Sequence, residues 1–297
     1  MIIPAPLQKG DLIQIVSPAG KIDPKLVEPA VELLERSGYR VGLGMHLLSQ
    51  HFQYSGTDAE RLADLQEAIN NPEVRCILCS RGGYGSIRIA ASLDFSALKT
   101  SPKWLVGFSD ITVLHSLIQH QDIASIHGPM LKGLGNTDSV SVRNLLGLLR
   151  GKGQSYLLPA DGNNRCGSVS AAITGGNLSV LYSLLGTPMF PETEGRILFI
   201  EDLNEYLYHT DRMMHSLKYS GVLDKLAGLI VGSFSDMLDN KNPFGKNAYQ
   251  IIAEHVAGYS YPVCFGFPAG HIDDNRPLLF GATCRFSVSD DCAELEF

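Results

Sequence analysis

At 297 residues, 44% hydrophobic and 19% charged, the chain is long enough for one large or two medium domains with cores of their own. A net charge of −7, with no dense run of lysine or arginine, argues against nucleic acid as a partner. No segment reaches the roughly 18 apolar residues needed to span a bilayer, and "MIIPAPLQKGD" lacks the basic region and apolar core of a secretory signal, so a cytoplasmic protein without a membrane partner is expected.

The first half alternates strand and helix signals. "LIQIVSPAG" reads as a strand and a Pro-Gly turn, "KLVEPAVELLERSGY" as an amphipathic helix stopped by Gly38, and "RVGLG" as the next strand. "DAERLADLQEAINNP" is a helix with Asp58 as its expected cap, followed by the strand "VRCILCS". A glycine-rich turn then enters a helix in "GGYGSIRIAASL", and "WLVGFSD" is another strand end. This rhythm predicts an α/β fold with a parallel sheet covered by helices. Ligands bind such sheets beyond the carboxyl ends of the strands, where "SPAG", "SRGGYG" and "GFSD" all fall.

The composition shifts near residues 150–170, in "GKGQSYLLPADGNNRCGSV". The expected organisation is therefore a domain over 1–150, a linker over 151–170 and a second mixed α/β domain over 171–297. That second domain carries strands in "RILFIEDL", "LAGLIVGSF", "PVCFGFPAG" and "ATCRFSV", with helices in "TDRMMHSLKYSG" and "AYQIIAEHVAG". Cys76 and Cys79 form a C-x-x-C, but a period of two sends them to opposite faces of a strand. They read as buried thiols, and Cys166, Cys264, Cys284 and Cys292 are isolated. No histidine pair has zincin spacing, so neither a metal nor a cofactor is expected.

Ser109 sits on the bend between the strand ending at Val106 and a helix marked by Ile111, Leu114 and Ile118. A strand-to-helix elbow lifts a hydroxyl clear of the sheet and aims the following backbone N–H groups at the same space. A helix cap by Ser109 or Asp110 is the competing reading. In "SRGGYGSIR", Gly82 and Gly83 allow close backbone approach, and an N–H from this loop paired with that of Asp110 would make an oxyanion hole. A dinucleotide loop fits less well, because Arg88 stands where the third glycine of G-x-G-x-x-G belongs. Of the nine histidines, His271 lies in a Pro-Gly loop just after a strand, a place suited to presenting a base. His127 reads as structural or supporting, His115 and His120 lie on the helix after Ser109, and His209 and His215 on a later one. Glu201, directly after Ile197–Ile200, is positioned as the acid that orients a histidine, while strand alternation aims its neighbour Asp202 elsewhere.

The chain resembles the LD-carboxypeptidases, serine peptidases of bacterial murein recycling, through "GDLIQIVSPAG", "SRGGYG", "VGFSD", "IHGPM", "GGNLSVL", "FIEDLNEYLYHTDRMMHSL" and "GHIDDNRPLLFG" in that order. The resemblance implies a triad of Ser109, Glu201 and His271, with the backbone N–H groups of Gly83 and Asp110 as the oxyanion hole. It also implies an N-terminal flavodoxin-like domain, related to class I glutamine amidotransferases, joined to a swivelling β/α domain in a homodimer. The implied substrate is a murein tetrapeptide, cleaved to release its terminal D-alanine through an acyl-enzyme. An α/β-hydrolase is disfavoured because Ile111 replaces the second glycine of G-x-S-x-G.

A carboxypeptidase must bind a free carboxylate, for which Arg81 is the first candidate beside a structural ion pair. The family match puts Tyr84, Asn177 and Ser17 near the cleft as further binding candidates. Relatives that cleave microcin-type peptide nucleotides supply the alternative substrate. Trp104 is the sole tryptophan, so the second half has no indole platform for an adenine, and that leans toward murein. A non-catalytic peptide or sugar binder on the same scaffold is the third reading.

Overall fold

The computed structural model describes residues 1–135 and 139–297. Its strands are β1 (Leu12–Val16), β2 (Arg40–Leu43), β3 (Val74–Cys79), β4 (Trp104–Gly107), β5 (Ser125–His127), β6 (Ser155–Pro159), β7 (Gly167–Asn177), β8 (Ile197–Leu203), β9 (Gly228–Ser235), β10 (Val263–Cys264), β11 (Leu278–Phe280), β12 (Thr283–Val288) and β13 (Cys292–Glu296). Among the described residues they form two sheets, ordered β2-β1-β3-β4-β5-β11 and β10-β9-β8-β7-β12-β13-β6.

The first sheet is parallel from β2 to β5, as the β-α-β rhythm requires. Alternation along its strands feeds two apolar layers. Ile13, Ile15, Cys76, Leu78 and Val106 pack on one face, and Val16, Ile77, Cys79 and Leu105 on the other. The two C-x-x-C thiols are thus buried on opposite faces, and burial pushes both up. The helix Asp58–Asn70 is capped by Thr57 rather than by Asp58. Thr57 and Glu60 form a reciprocal capping box, which frees Asp58 to pair with Arg61 and Arg88.

In the second sheet β10-β9-β8-β7 are parallel, and β12, β13 and β6 continue antiparallel. Leu198, Ile200, Leu229 and Val231 pack on the helices Leu207–Tyr219 and Ala248–Val256, whereas Ile197, Phe199 and Ile230 face Phe280 and Phe286. The stretch expected as a linker holds β6, where Tyr156 and Leu158 point inward and Leu157 outward. Three consecutive apolar residues concealed that alternation. Strand β11, from the C-terminal part of the chain, pairs antiparallel with β5 and so completes the first sheet.

The two sheets meet at the helix Thr112–Gln119 that follows the Ser109 bend. Thr112 Oγ1 accepts the Asn177 N–H at 3.0 Å, and the Thr174 hydroxyl donates to Gln119 Oε1 at 2.7 Å. Gly176, at φ +138°, permits this approach, since a Cβ there would lie 2.4 Å from Thr112 Oγ1.

Candidate active site

Gly107 ends β4, and Ser109 follows with φ +64°, a conformation that costs a non-glycine residue about 1–3 kcal/mol. The Ser109 hydroxyl caps neither the short 3-10 turn Ser109–Ile111 nor the helix after it. Asp110 is buried, and its Oδ2 accepts the Ser86 N–H at 2.7 Å, so it caps the helix Ser86–Ala90 beyond the glycine loop instead. Burial pushes the Asp110 carboxyl up against the opposing effect of that hydrogen bond.

Ser109 Oγ lies 3.0 Å from His271 Nε2, and His271 Nδ1 lies 2.7 Å from Glu201 Oε2. A carboxylate only accepts, so Nδ1 carries the proton toward Glu201 and Nε2 is left to accept from the serine. Glu201 is fully buried and sits within β8, two residues before its end, opposite Asn177. Asn177 Nδ2 donates to Glu201 Oε1 at 3.3 Å and to Asp202 Oδ1 at 2.9 Å, while Asn177 Oδ1 caps the helix Leu178–Leu184. Asp202 shares the Asn177 amide with Glu201, and its Oδ2 accepts the Ser179 N–H at the start of that helix instead of meeting His271. Burial and the Glu201 charge push Asp202 up to about 7. A β9 bulge opposite Ile200–Asp202 shifts the register of the β8–β9 pairing beside these carboxylates.

Two glycines allow the three side chains to meet. Gly270 has φ +118°, and a Cβ there would lie 2.6 Å from Glu201 Oε2. Gly82 rests against the serine, since its Cβ would fall 2.7 Å from Ser109 Cβ and 3.3 Å from the Asp110 nitrogen. The glycine loop is tied to the first turn by the Gly20 N–H, which donates to Gly82 O at 2.9 Å. Buried Arg61 donates to Pro18 O and Gly85 O, and so clamps both loops. Sequence reasoning missed Arg61, because nothing local distinguishes it from a surface helix arginine.

Ser109 and His271 open onto a cleft of ≈ 830 Å³ that is also lined by Arg81, Lys132, Met130, Asp236 and Asp273. Of the binding candidates, Arg81 lines this cleft, with Nη1 donating to Lys21 O. Ser17 does not reach it: the hydroxyl is buried against Leu47 O and Ser80 Oγ. Asn177 is buried behind Glu201, and Tyr84 projects beside Tyr54 outside the lining. Lys132 is a cleft cation that the sequence does not single out. His127 is buried among Phe108, Phe199 and Phe280, and neither ring nitrogen has a partner among the described residues. His115 bonds Ser125 Oγ and Gly107 O, which braces the strand end beneath the bend.

Residues 13–128 match the LD-carboxypeptidase N-terminal domain, and residues 170–286 the LD-carboxypeptidase C-terminal domain. The chain is 36% identical to the probable murein peptide carboxypeptidase of Bacillus subtilis, over 99% of this chain and 94% of that protein. It is 30% identical to the murein tetrapeptide carboxypeptidase of Pseudomonas aeruginosa, over 91% of each. The crystal structure of muramoyltetrapeptide carboxypeptidase from Oxalobacter formigenes superposes with a TM-score of 0.88 at 29% identity, covering 96% of this chain and 98% of that one.

Proposed function

Because the chain belongs to the LD-carboxypeptidase family, we propose that it is a serine-type LD-carboxypeptidase that releases the terminal D-alanine from murein tetrapeptides. The observation that carries this reading is the continuous relay from Ser109 Oγ through His271 to buried Glu201, at 3.0 and 2.7 Å, opening onto a cleft of peptide size.

In this reading Ser109 attacks the carbonyl that joins the diamino acid to D-alanine, and His271 Nε2 takes the hydroxyl proton. Glu201 holds the imidazole with Nδ1 protonated and stabilises its charged form. The N–H groups of Gly83 and Asp110 receive the developing oxyanion, a contribution of about 3 kcal/mol for each such donor. His271 then protonates the leaving amine, and water resolves the acyl-enzyme by the same route in reverse. Arg81 and Lys132 are the cleft cations available to the substrate's terminal carboxylate.

The first sheet's order, 2-1-3-4-5, supports a flavodoxin-like reading of the N-terminal part, with the second sheet as the family's swivelling domain. We place the enzyme in the cytoplasm as a homodimer, in keeping with murein recycling. Among the described residues no helix is long and apolar enough to cross a membrane.

The test is D-alanine release from purified murein tetrapeptide by the native chain and by Ser109→Ala. Release that falls at least about 10⁴-fold in a folded variant supports the proposal. Equal release by both proteins refutes the serine mechanism, and no release by the native chain redirects the substrate to peptide-nucleotide conjugates.

A further inference from the structure

Away from the cleft, the helices Leu207–Tyr219 and Ala248–Val256 pack side by side and bring together three ligating side chains that the serine relay does not use. Asp211 and His215 stand one turn apart on the first helix, so they share a face. His255 comes from the second helix and is only 6% exposed. Its Nε2 lies 2.8 Å from Asp211 Oδ1, while His215 Nε2 stops 3.8 Å from Asp211 Oδ2. The two imidazoles meet edge to face, with centroids 4.4 Å apart. One ligand atom from each residue can be taken so that all lie within 4.8 Å of one another.

As a hydrogen-bonded group this arrangement is poorly satisfied. His255 Nε2 donates to the carboxylate, but His215 Nε2 is too distant for a good second bond. His215 Nδ1 is buried with no partner among the described residues. The ring is nonetheless held in place by stacking on Tyr219, with centroids 5.2 Å apart. Two imidazoles are therefore held around one carboxylate, with His215 Nδ1 left without a partner among the described residues and His215 Nε2 3.8 Å from Asp211 Oδ2.

We propose that Asp211, His215 and His255 form a binding site for a divalent transition ion of the Zn²⁺ class that ties the two helices together. Zinc bonds of about 2.0–2.1 Å at a tetrahedral centre set neighbouring ligand atoms about 3.3 Å apart. The observed 2.8 and 3.8 Å reach different oxygens of Asp211. With one ligand atom from each residue the separations stay within 4.8 Å, so rotamer changes that close the set by up to roughly 1.5 Å, the difference between 4.8 and about 3.3 Å, bring it to that spacing. Two imidazoles and one carboxylate suit zinc, nickel or copper, whereas calcium and magnesium demand an oxygen-rich shell. Partly exposed Asp211 and His215 leave the remaining coordination positions open to water. The positive charge of Lys218, which acts on His255, opposes the ion and weakens the site. The expectation of no metal rested on spacing within one helix, and this set draws its third member from another.

The test uses the full chain, stripped with a chelator and titrated with ZnCl₂ by calorimetry and thermal unfolding. The native chain should bind one ion saturably and melt a few degrees higher with zinc. His215→Ala and Asp211→Asn should each weaken binding by at least about 10-fold and abolish the thermal shift. His209→Ala, which disrupts the separate His209–Glu205 pair, should leave both unchanged. Absence of saturable binding by the native chain overturns the proposal. So does zinc affinity that is the same in His215→Ala and Asp211→Asn, provided circular dichroism shows both variants folded.

Discussion

Replacing Gly270 by alanine tests whether the position of Glu201 governs turnover. The backbone at Gly270 has φ +118°, where an L residue is strained by about 1–3 kcal/mol. The added Cβ would also lie 2.6 Å from Glu201 Oε2, 2.9 Å from Glu201 Cβ and 2.5 Å from Ser233 Oγ. An unstrained contact needs about 3.4 Å or more, so the carboxylate must retreat by roughly 0.8 Å, the difference between 3.4 and 2.6 Å. A shift of that size breaks the 2.7 Å bond that fixes the His271 tautomer. Misplacing a catalytic group by about 1 Å costs roughly 10²-fold, and losing the orienting acid outright costs about 10⁴-fold. The expected fall in kcat for D-alanine release is therefore between about 10² and 10⁴, or ~3–5 kcal/mol of transition-state stabilisation. KM should change little, because Glu201 is buried behind His271 and does not line the cleft. Steady-state release kinetics with Gly270→Ala, alongside a thermal melt to confirm folding, decide the matter. A folded variant with native kcat would refute the claim that this glycine sets the Glu201–His271 geometry.

Buried Lys103 donates through Nζ to Ala68 O, Ile69 O and Asn71 O, which closes the end of the helix Asp58–Asn70. Lys103→Met should cost about 2–4 kcal/mol by leaving buried carbonyls unpaired, and urea unfolding that shows less than 1 kcal/mol would contradict this role. Burial lowers His115 to about 4, below the 6.5 of the exposed group. The unfolded chain then binds more protons between these values, so His115 contributes stability that is present above pH 6.5 and lost as pH falls toward 4. The loss amounts to about 3 kcal/mol, and unfolding free energies measured across that window should slope less steeply in His115→Gln than in the native chain.

The bend at Ser109 was legible because its signals are local: an apolar strand end, a glycine two residues earlier and helical spacing directly after it. The apolar strand before Glu201 and the loop around His271 could be read in the same way. Features that depend on neighbouring elements were not. The cap lies one residue earlier than the sequence suggests, since Asp58 is itself a good capping residue and the reciprocal bond from Glu60 selects Thr57. Strand β11 is three residues long and has meaning only beside β5. The family motif points Asn177 to the cleft, but the adjacency of β7 and β8 turns its amide onto the two carboxylates.

Periodicity reports which face a side chain takes, and it cannot report what arrives from the next element to meet that face. His271 illustrates the difference, because several of the nine histidines occupy plausible positions in sequence. This one is selected by two contacts, across 162 residues to Ser109 and across 70 residues to Glu201. Parallel connectivity makes that convergence systematic, since the carboxyl ends of successive strands all face the same side of a sheet. Ser109 follows the end of β4 and Glu201 lies in the last half of β8, and the bonds of Thr112 and Thr174 along the helix Thr112–Gln119 hold the two sheets together there. The Asp211, His215 and His255 group follows the same logic on a helical face. Its first pair is visible at i, i+4, and its third member is supplied by the packing of a helix that begins 37 residues after Asp211.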